Sequence, residues 1–245
     1  MLPRRHATTL FRDRVHAGVK LAEMLQHHAA RTDVVVLGLP RGGVPVAAEV
    51  ARRLGTPLDI FLVRKLGAPS RPELAVGALA ADGVRVIHDE LVQRLGITPE
   101  ELAEVVRRES AELARRTRAY GAGPVAVDLR EKTVIVVDDG LATGATMRAA
   151  VEALRLKGVS RVVVAAPVAA PEAVRRLREV ADEVVVVEAP PNFRGVGAWY
   201  EDFTQTSDEE VQRLLAAGRA SRPQPHARPQ PMPPPPPESG WGGTT

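Results

Sequence analysis

Short, unbroken runs of branched apolar residues recur along this chain, at Asp33–Leu37, Leu58–Val63, Val134–Val137, Arg161–Ala166 and Glu183–Val187. A run with no polar residue at alternate positions reads as a strand buried on both faces, the habit of a parallel sheet. Between the runs the apolar period lengthens to that of a helix. Phe11, Val15, Val19, Ala22 and Leu25 predict an amphipathic helix over Phe11–Ala30. Further helices are expected from about Pro45 to Leu54, Met147 to Lys157, Glu172 to Val180 and Ser207 to Ala217, the last capped by Ser207 or Asp208. Strands alternating with helices predict an α/β fold built on a parallel sheet with right-handed crossovers.

The middle of the chain breaks this rhythm. Leu66–Pro72 holds glycine and proline and reads as a loop. Asp82-Gly83 is a strong hairpin signal between Glu73–Ala81 and Val84–His88, two antiparallel strands. Thr98-Pro99-Glu100-Glu101 has the form of a capping box with proline at the first helical position, and opens a charged helix to about Tyr120 that Gly121-Ala122-Gly123-Pro124 ends. The histidines suggest no chemistry. His88 reads as structural or exposed. His16, His27 and His28 read as surface residues of the first helix, with His27 and His28 pointing apart and so unfit to share a metal.

Chemistry gathers where the third apolar run ends. Asp138 and Asp139 follow Val137, and Gly140-Leu141-Ala142-Thr143-Gly144-Ala145-Thr146 leads into a helix. Ligands of open parallel sheets bind outside the carboxyl ends of the strands. A loop of small residues running into a helix N-terminus suits a phosphate, through backbone N–H groups and the helix dipole. Carboxylates repel that phosphate, but accept hydrogen bonds from paired hydroxyls such as those of ribose. The stretch is therefore shaped for a ribose 5-phosphate, against the plainer reading of acids at a strand end and a threonine cap. Gly38-Leu39-Pro40-Arg41-Gly42-Gly43 forms a second strand–loop–helix unit, in which Gly42 and Gly43 allow close backbone approach and Arg41 offers a forked donor. Arg64 and Lys65, placed at the end of the Leu58–Val63 strand, put two cations beside the same crevice.

Together these residues resemble the signature of the type I phosphoribosyltransferases, which bind phosphoribosyl pyrophosphate (PRPP). The resemblance spans most of residues 10–217. It implies a parallel-sheet fold with helices on both faces, a β-hairpin and helical insertion, and a small C-terminal hood. By the same resemblance Asp138 and Asp139 hold the ribose hydroxyls, and Gly140 to Thr146 wrap the 5-phosphate. Arg41, Gly42, Gly43 and Lys65 meet the pyrophosphate, while Arg41, Arg64 and Lys65 converge on it and serve catalysis. Magnesium arrives on the PRPP rather than on protein ligands. Phe193, Val196, Trp199, Tyr200 and Asp202 are similar to the hood of purine enzymes, over a nitrogen acceptor. The alternative to a phosphoribosyl transfer enzyme is a regulator that binds PRPP or a nucleotide without turnover. Ala142 stands where the hypoxanthine–guanine type has a third acid, so the acceptor stays open.

Composition trims the remaining classes. The 245 residues include no cysteine, which excludes disulfides and zinc–thiolate sites. The net charge is +3, but the arginines are interleaved with glutamates along helices, which argues against a nucleic-acid groove. No secretory leader or membrane-length apolar run is evident, so a cytoplasmic chain is expected, with a homodimer in reach. The domain is expected over residues 1–218, the hood over about 189–206, and a disordered proline-rich tail over 219–245.

Overall fold

The computed structural model describes residues 10–121 and 127–220. The first half runs α1 (Arg14–Met24), β1 (Val34–Gly38), α2 (Gly43–Leu54), β2 (Leu58–Ile60), β3 (Val63–Ala68), β4 (Arg71–Ala80), β5 (Arg85–Ile87), α3 (Asp89–Arg94) and α4 (Pro99–Ala119). The second runs β6 (Thr133–Val137), α5 (Ala145–Leu156), β7 (Arg161–Val168), α6 (Pro171–Arg178), β8 (Glu183–Glu188) and α7 (Asp208–Ala220). Five strands make a parallel sheet in the order β2-β1-β6-β7-β8, and β3-β4-β5 make a separate antiparallel sheet. The α/β expectation holds.

The apolar runs explain the layering. Along β1, Val34 and Val36 face one way and pack with Leu21 of α1, with Leu25 just after it, and with Val46, Val50 and Leu54 of α2. Val35 and Leu37 face the other way, toward Met147 and Leu154 of α5 and Leu177 of α6. Helices therefore cover both faces, and each fully buried valine or leucine contributes about 1.5–3 kcal/mol. Gly18 lets α1 cross α2 closely, since a Cβ there would lie 2.8 Å from Glu49 Cβ. The predicted capping box closes around Thr98 and Glu101, and Gly83 turns the hairpin at φ +89°.

Several expectations are corrected. α1 starts at Arg14, where the Asp13 carboxylate accepts from His16 N at 2.7 Å, and Phe11 instead bridges to Tyr200. Val15 is exposed, and the buried stripe is Ala17, Gly18, Leu21, Ala22. The run Leu58–Val63 splits: β2 joins the parallel sheet, while Val63 opens β3 against Ala80 of β4. Arg64 and Lys65 thus lie within an antiparallel strand, and most of the expected Leu66–Pro72 loop is strand.

His28 is buried rather than superficial. Beyond Met24 the chain tightens into a 3-10 turn over Gln26–His28, which brings both imidazoles together instead of apart. His27 Nε2 lies 2.9 Å and His28 Nε2 3.3 Å from the two oxygens of Glu183, to which Arg161 also donates at 3.1 Å. These His and Glu atoms lie within 4.8 Å of one another. The helix α7 continues past Gly218 to Ala220, and Ser207 accepts from Glu210 N at 3.2 Å as expected of a cap. The tail from 221, and the Ala122-Gly123-Pro124 helix stop, lie outside the described residues.

Candidate active site at the carboxyl ends of the parallel strands

The loops after β1 and β6 are welded together by missing side chains. A Cβ at Gly43 would lie 2.6 Å from the carbonyl oxygen of Val137, and one at Gly42 would collide with the Asp139 carboxylate. Leu39 N donates to Val137 O at 2.8 Å. The glycines therefore let the loop after β1 close against the acid pair. Beyond β6 the chain is pinned by Leu141, which pairs with Val168 and Ala170 across the end of β7 (2.9 and 2.8 Å). Gly144 then takes φ +73° and releases the N-terminus of α5, with Thr143 Oγ1 accepting from Ala145 N at 3.3 Å. Ala142, Thr143 and Thr146 stay exposed, so the loop presents its amides and hydroxyls outward.

A cavity of about 620 Å³ opens beside this loop. Asp138, Thr146, Pro40, Arg64 and Lys65 line it, with Arg108, Glu109 and Arg116 of α4 on the far wall. Arg64 is gripped there by Glu109 at 2.7 Å, and Lys65 Nζ donates to Pro72 O at 2.9 Å. Arg41 is placed elsewhere: its guanidinium lies 3.6 Å from Asp208 at the start of α7. Arg64 and Lys65 therefore line this cavity, and Arg41 does not. On the other side of the loop, Thr143, Gly144 and Ala145 wall a second, more apolar cavity of about 510 Å³, where His88 meets Glu152 at 3.0 Å.

The acids are held in tension. Burial, then the charge of Asp139, raises Asp138 well above the usual carboxylate range. Burial also raises Asp139, opposed by the hydrogen bond and charge of Arg14. Arg14 Nε donates to Asp139 Oδ2 at 2.8 Å, with the two side chains only 11% and 14% exposed, so water screens the pair little. Like charges in one dry site mark a place where stability has been set aside.

The hood segment packs down as a satellite core. Phe193, Val196, Trp199 and Tyr200 join Phe11 and Val168, and Val196 presses on the bare Cα of Gly140. Tyr200 is buried between Phe11 and Phe203 (ring centroids 5.3 and 5.1 Å), and its hydroxyl donates to Asp139 O at 2.6 Å. Asp202 is exposed and accepts from Thr204 N and Oγ1.

Three arginines and one acid of this site escape the sequence reading. Arg14, Arg108 and Arg116 look like any other arginine of a charged helix. Glu109 left a trace: it sits between Val105 and Leu113 at spacings of four, an acid on the buried stripe of α4.

The acid pair and the small-residue loop lie at the carboxyl ends of a parallel sheet, where open α/β proteins bind their ligands. The chain belongs to the phosphoribosyl transferase domain family, which it matches over residues 14–201. It is 46% identical over 206 residues to a Mycobacterium tuberculosis H37Rv protein provisionally named a phosphoribosyl transferase, covering 84% of this chain. The chain spans about half the length of that curated relative (46%). Over 70 residues it is 43% identical to the ribose-phosphate pyrophosphokinase of Pyrococcus furiosus, covering 28% of this chain and 25% of that one. The crystal structure of TT1426 from Thermus thermophilus superposes with a TM-score of 0.78 at 45% identity, covering 84% of this chain and 98% of that one. No helix among the described residues is long and apolar enough to cross a membrane.

Proposed function

We propose that this chain binds PRPP with magnesium and transfers its phosphoribosyl group to a nitrogen nucleophile, with a purine-like base as one candidate acceptor. The bond from ribose C1 to pyrophosphate breaks, a C1–N bond forms, and the nitrogen's proton leaves to solvent. The observation that carries this reading is the pairing of Asp138 with Arg64 and Lys65 across one cavity, beside the Thr143–Thr146 loop. Asp138 and Asp139 accept from the ribose hydroxyls, and Gly140 to Thr146 hold the 5-phosphate at the α5 N-terminus. Gly42 and Gly43 let pyrophosphate approach the backbone. Arg64 and Lys65 stand where charge grows as pyrophosphate departs, and Arg41 joins them on leaving Asp208. Catalysis on this reading is positioning plus placed cations.

Magnesium would come with the PRPP, an ion that keeps waters and substrate phosphate oxygens as ligands, and would supply neutralising charge at the pyrophosphate, while Arg64 and Lys65 line the same cavity. Of the hood residues, Phe193, Val196 and Trp199, which are partly buried, and exposed Asp202 are left for the acceptor side, whereas Tyr200 is packed away and bonded to Asp139 O. The test is pyrophosphate release from PRPP and magnesium across a panel of bases. Acceptor-dependent release supports the reading; PRPP binding without release under every acceptor leaves a non-catalytic binder.

A further inference from the structure

We propose that Arg14 is a positioning residue for Asp139, and that its guanidinium fastens the hood to the acid pair. This rests on the reading of Asp138 and Asp139 as the ribose acceptors. Arg14 uses three sides of one planar group. Nε donates to Asp139 Oδ2 at 2.8 Å, Nη1 donates to the Thr204 carbonyl at 2.7 Å, and the flat face lies 4.1 Å over the Phe203 ring. An ammonium could supply the charge but not this geometry.

The segment carrying Arg14 is itself zipped to the hood. Leu10 N and Phe11 N donate to Trp199 O at 3.0 Å, Glu201 N to Phe11 O at 2.9 Å, and Asp202 N to Arg12 O at 2.8 Å. The hood also reaches the acid directly, through the Tyr200 hydroxyl on Asp139 O. Asp139 is thus held from two directions, by α1 and by the hood, while Gly42 packs against the same Oδ2. With Oδ2 taken by Arg14, Oδ1 is left for a ribose hydroxyl.

The arrangement has an electrostatic consequence. Among the described residues, the charged and titratable groups facing Asp139 are Asp138 beside it, Arg14 from α1 and Tyr200 from the hood. Arg14 is the one cation of that set. Burial favours a proton on both acids, the charge of Asp139 adds to this at Asp138, and Arg14 opposes it. A protonated carboxyl would donate where the ribose needs an acceptor. Removing Arg14 therefore costs function through the protonation of Asp139 rather than through a lost substrate contact.

The test compares wild type, Arg14→Gln and Arg14→Lys in two measurements. In the first, carboxyl-carbon NMR follows aspartate titration in the ligand-free protein. Arg14→Gln should move the Asp139 titration upward by roughly one unit or more, the size of a lost neighbouring cation, and Arg14→Lys should move it less. In the second, calorimetry follows binding of PRPP with magnesium from acid to mildly alkaline pH. Arg14→Gln should bind about tenfold more weakly or worse at neutral pH, and regain affinity as the pH rises. An unchanged Asp139 titration in a folded Arg14→Gln protein overturns the proposal. Failure of the wild type to bind PRPP sinks the phosphoribosyl reading instead, and the titration still decides the role of Arg14.

Discussion

At the amino ends of the parallel strands, Arg31 donates twice to Asp33, and Glu183 gathers His27, His28 and Arg161. At the carboxyl ends, Asp138 and Asp139 stand side by side with Arg14 as their close cation. The hydrogen bond from Arg31 holds Asp33 down to about 2. Glu183 also ends below its ordinary range: burial works to raise it, but Arg161 and the two histidines outweigh that. Asp138 and Asp139 are both raised. One end of the sheet pairs opposite charges and is stabilised by them. The other crowds like charges out of water, an arrangement that folding alone would not select. The difference separates structural charge from charge kept for a ligand.

The sharpest way to break this comparison is to neutralise the crowded end. Asp139→Asn should lose roughly 1.5–3 kcal/mol of PRPP affinity, about tenfold or more, because a charged acceptor is replaced by a neutral one. Its fold should survive. Asp138→Asn should melt higher than wild type at neutral pH, since a carboxylate with a raised folded pKa costs stability above its unfolded value. That gain should shrink as the pH falls through the raised pKa. Unchanged PRPP affinity in both variants would remove the ribose assignment. Gly43→Ala comes next: the new methyl would meet Val137 O and the Asp138 backbone, neither of which can swing away. A loss of about 1–3 kcal/mol in denaturant unfolding is expected from such overpacking.

What could be read in the sequence follows the range of the interaction. Four of the five apolar runs form the expected parallel strands, with β8 at the sheet edge only partly buried, and the Asp82-Gly83 hairpin and the Thr98 capping box, also local, appear where the pattern put them. The split after Ile60 was hidden, because Leu58–Val63 is apolar at nearly every position while its two ends belong to different sheets. The acid pair and its loop are contiguous and were plain. Arg14 lies 125 residues from Asp139, and Glu109 lies 45 from Arg64. Contacts at that separation leave no periodic signature. His27 and His28 failed for a related reason: helical spacing was extended through a turn that is 3-10, and their partner Glu183 is 155 residues away from His28.

Glu109→Gln probes whether the far wall of the cavity belongs to the working end. The substitution keeps the shape but leaves Arg64, one-third exposed, with a neutral partner. We expect a stability loss of about 1–2 kcal/mol from the lost charge-assisted bonds. A several-fold change in kcat/KM for PRPP should accompany it if Arg64 meets the pyrophosphate. A stability loss with unaltered kinetics would mark the Arg64–Glu109 pair as structural and shift it to the other side of the comparison.

The smallest expected effect is at the amino end, and its sign is what matters. Glu183→Gln should cost about 1 kcal/mol or less at neutral pH, as solvent-screened pairs do. A carboxylate with a lowered folded pKa stabilises the fold above its unfolded value, and that contribution is lost as pH falls through the folded one. The Glu183→Gln curve should therefore meet the wild-type curve in acid. His28 adds to the same slope. Burial, and then the charge of His27, lowers it from the ordinary 6.5, so below that value the unfolded chain takes up the proton more readily and the fold weakens. Mild acid thus erodes the amino end while it relieves the carboxyl end, where protonation removes the repulsion between Asp138 and Asp139. Urea unfolding across this pH range should show Asp138→Asn and Glu183→Gln departing from wild type in opposite directions at neutral pH. Both differences should narrow toward acid. Parallel departures of the two variants would mean that the ends of the sheet carry charge in the same way.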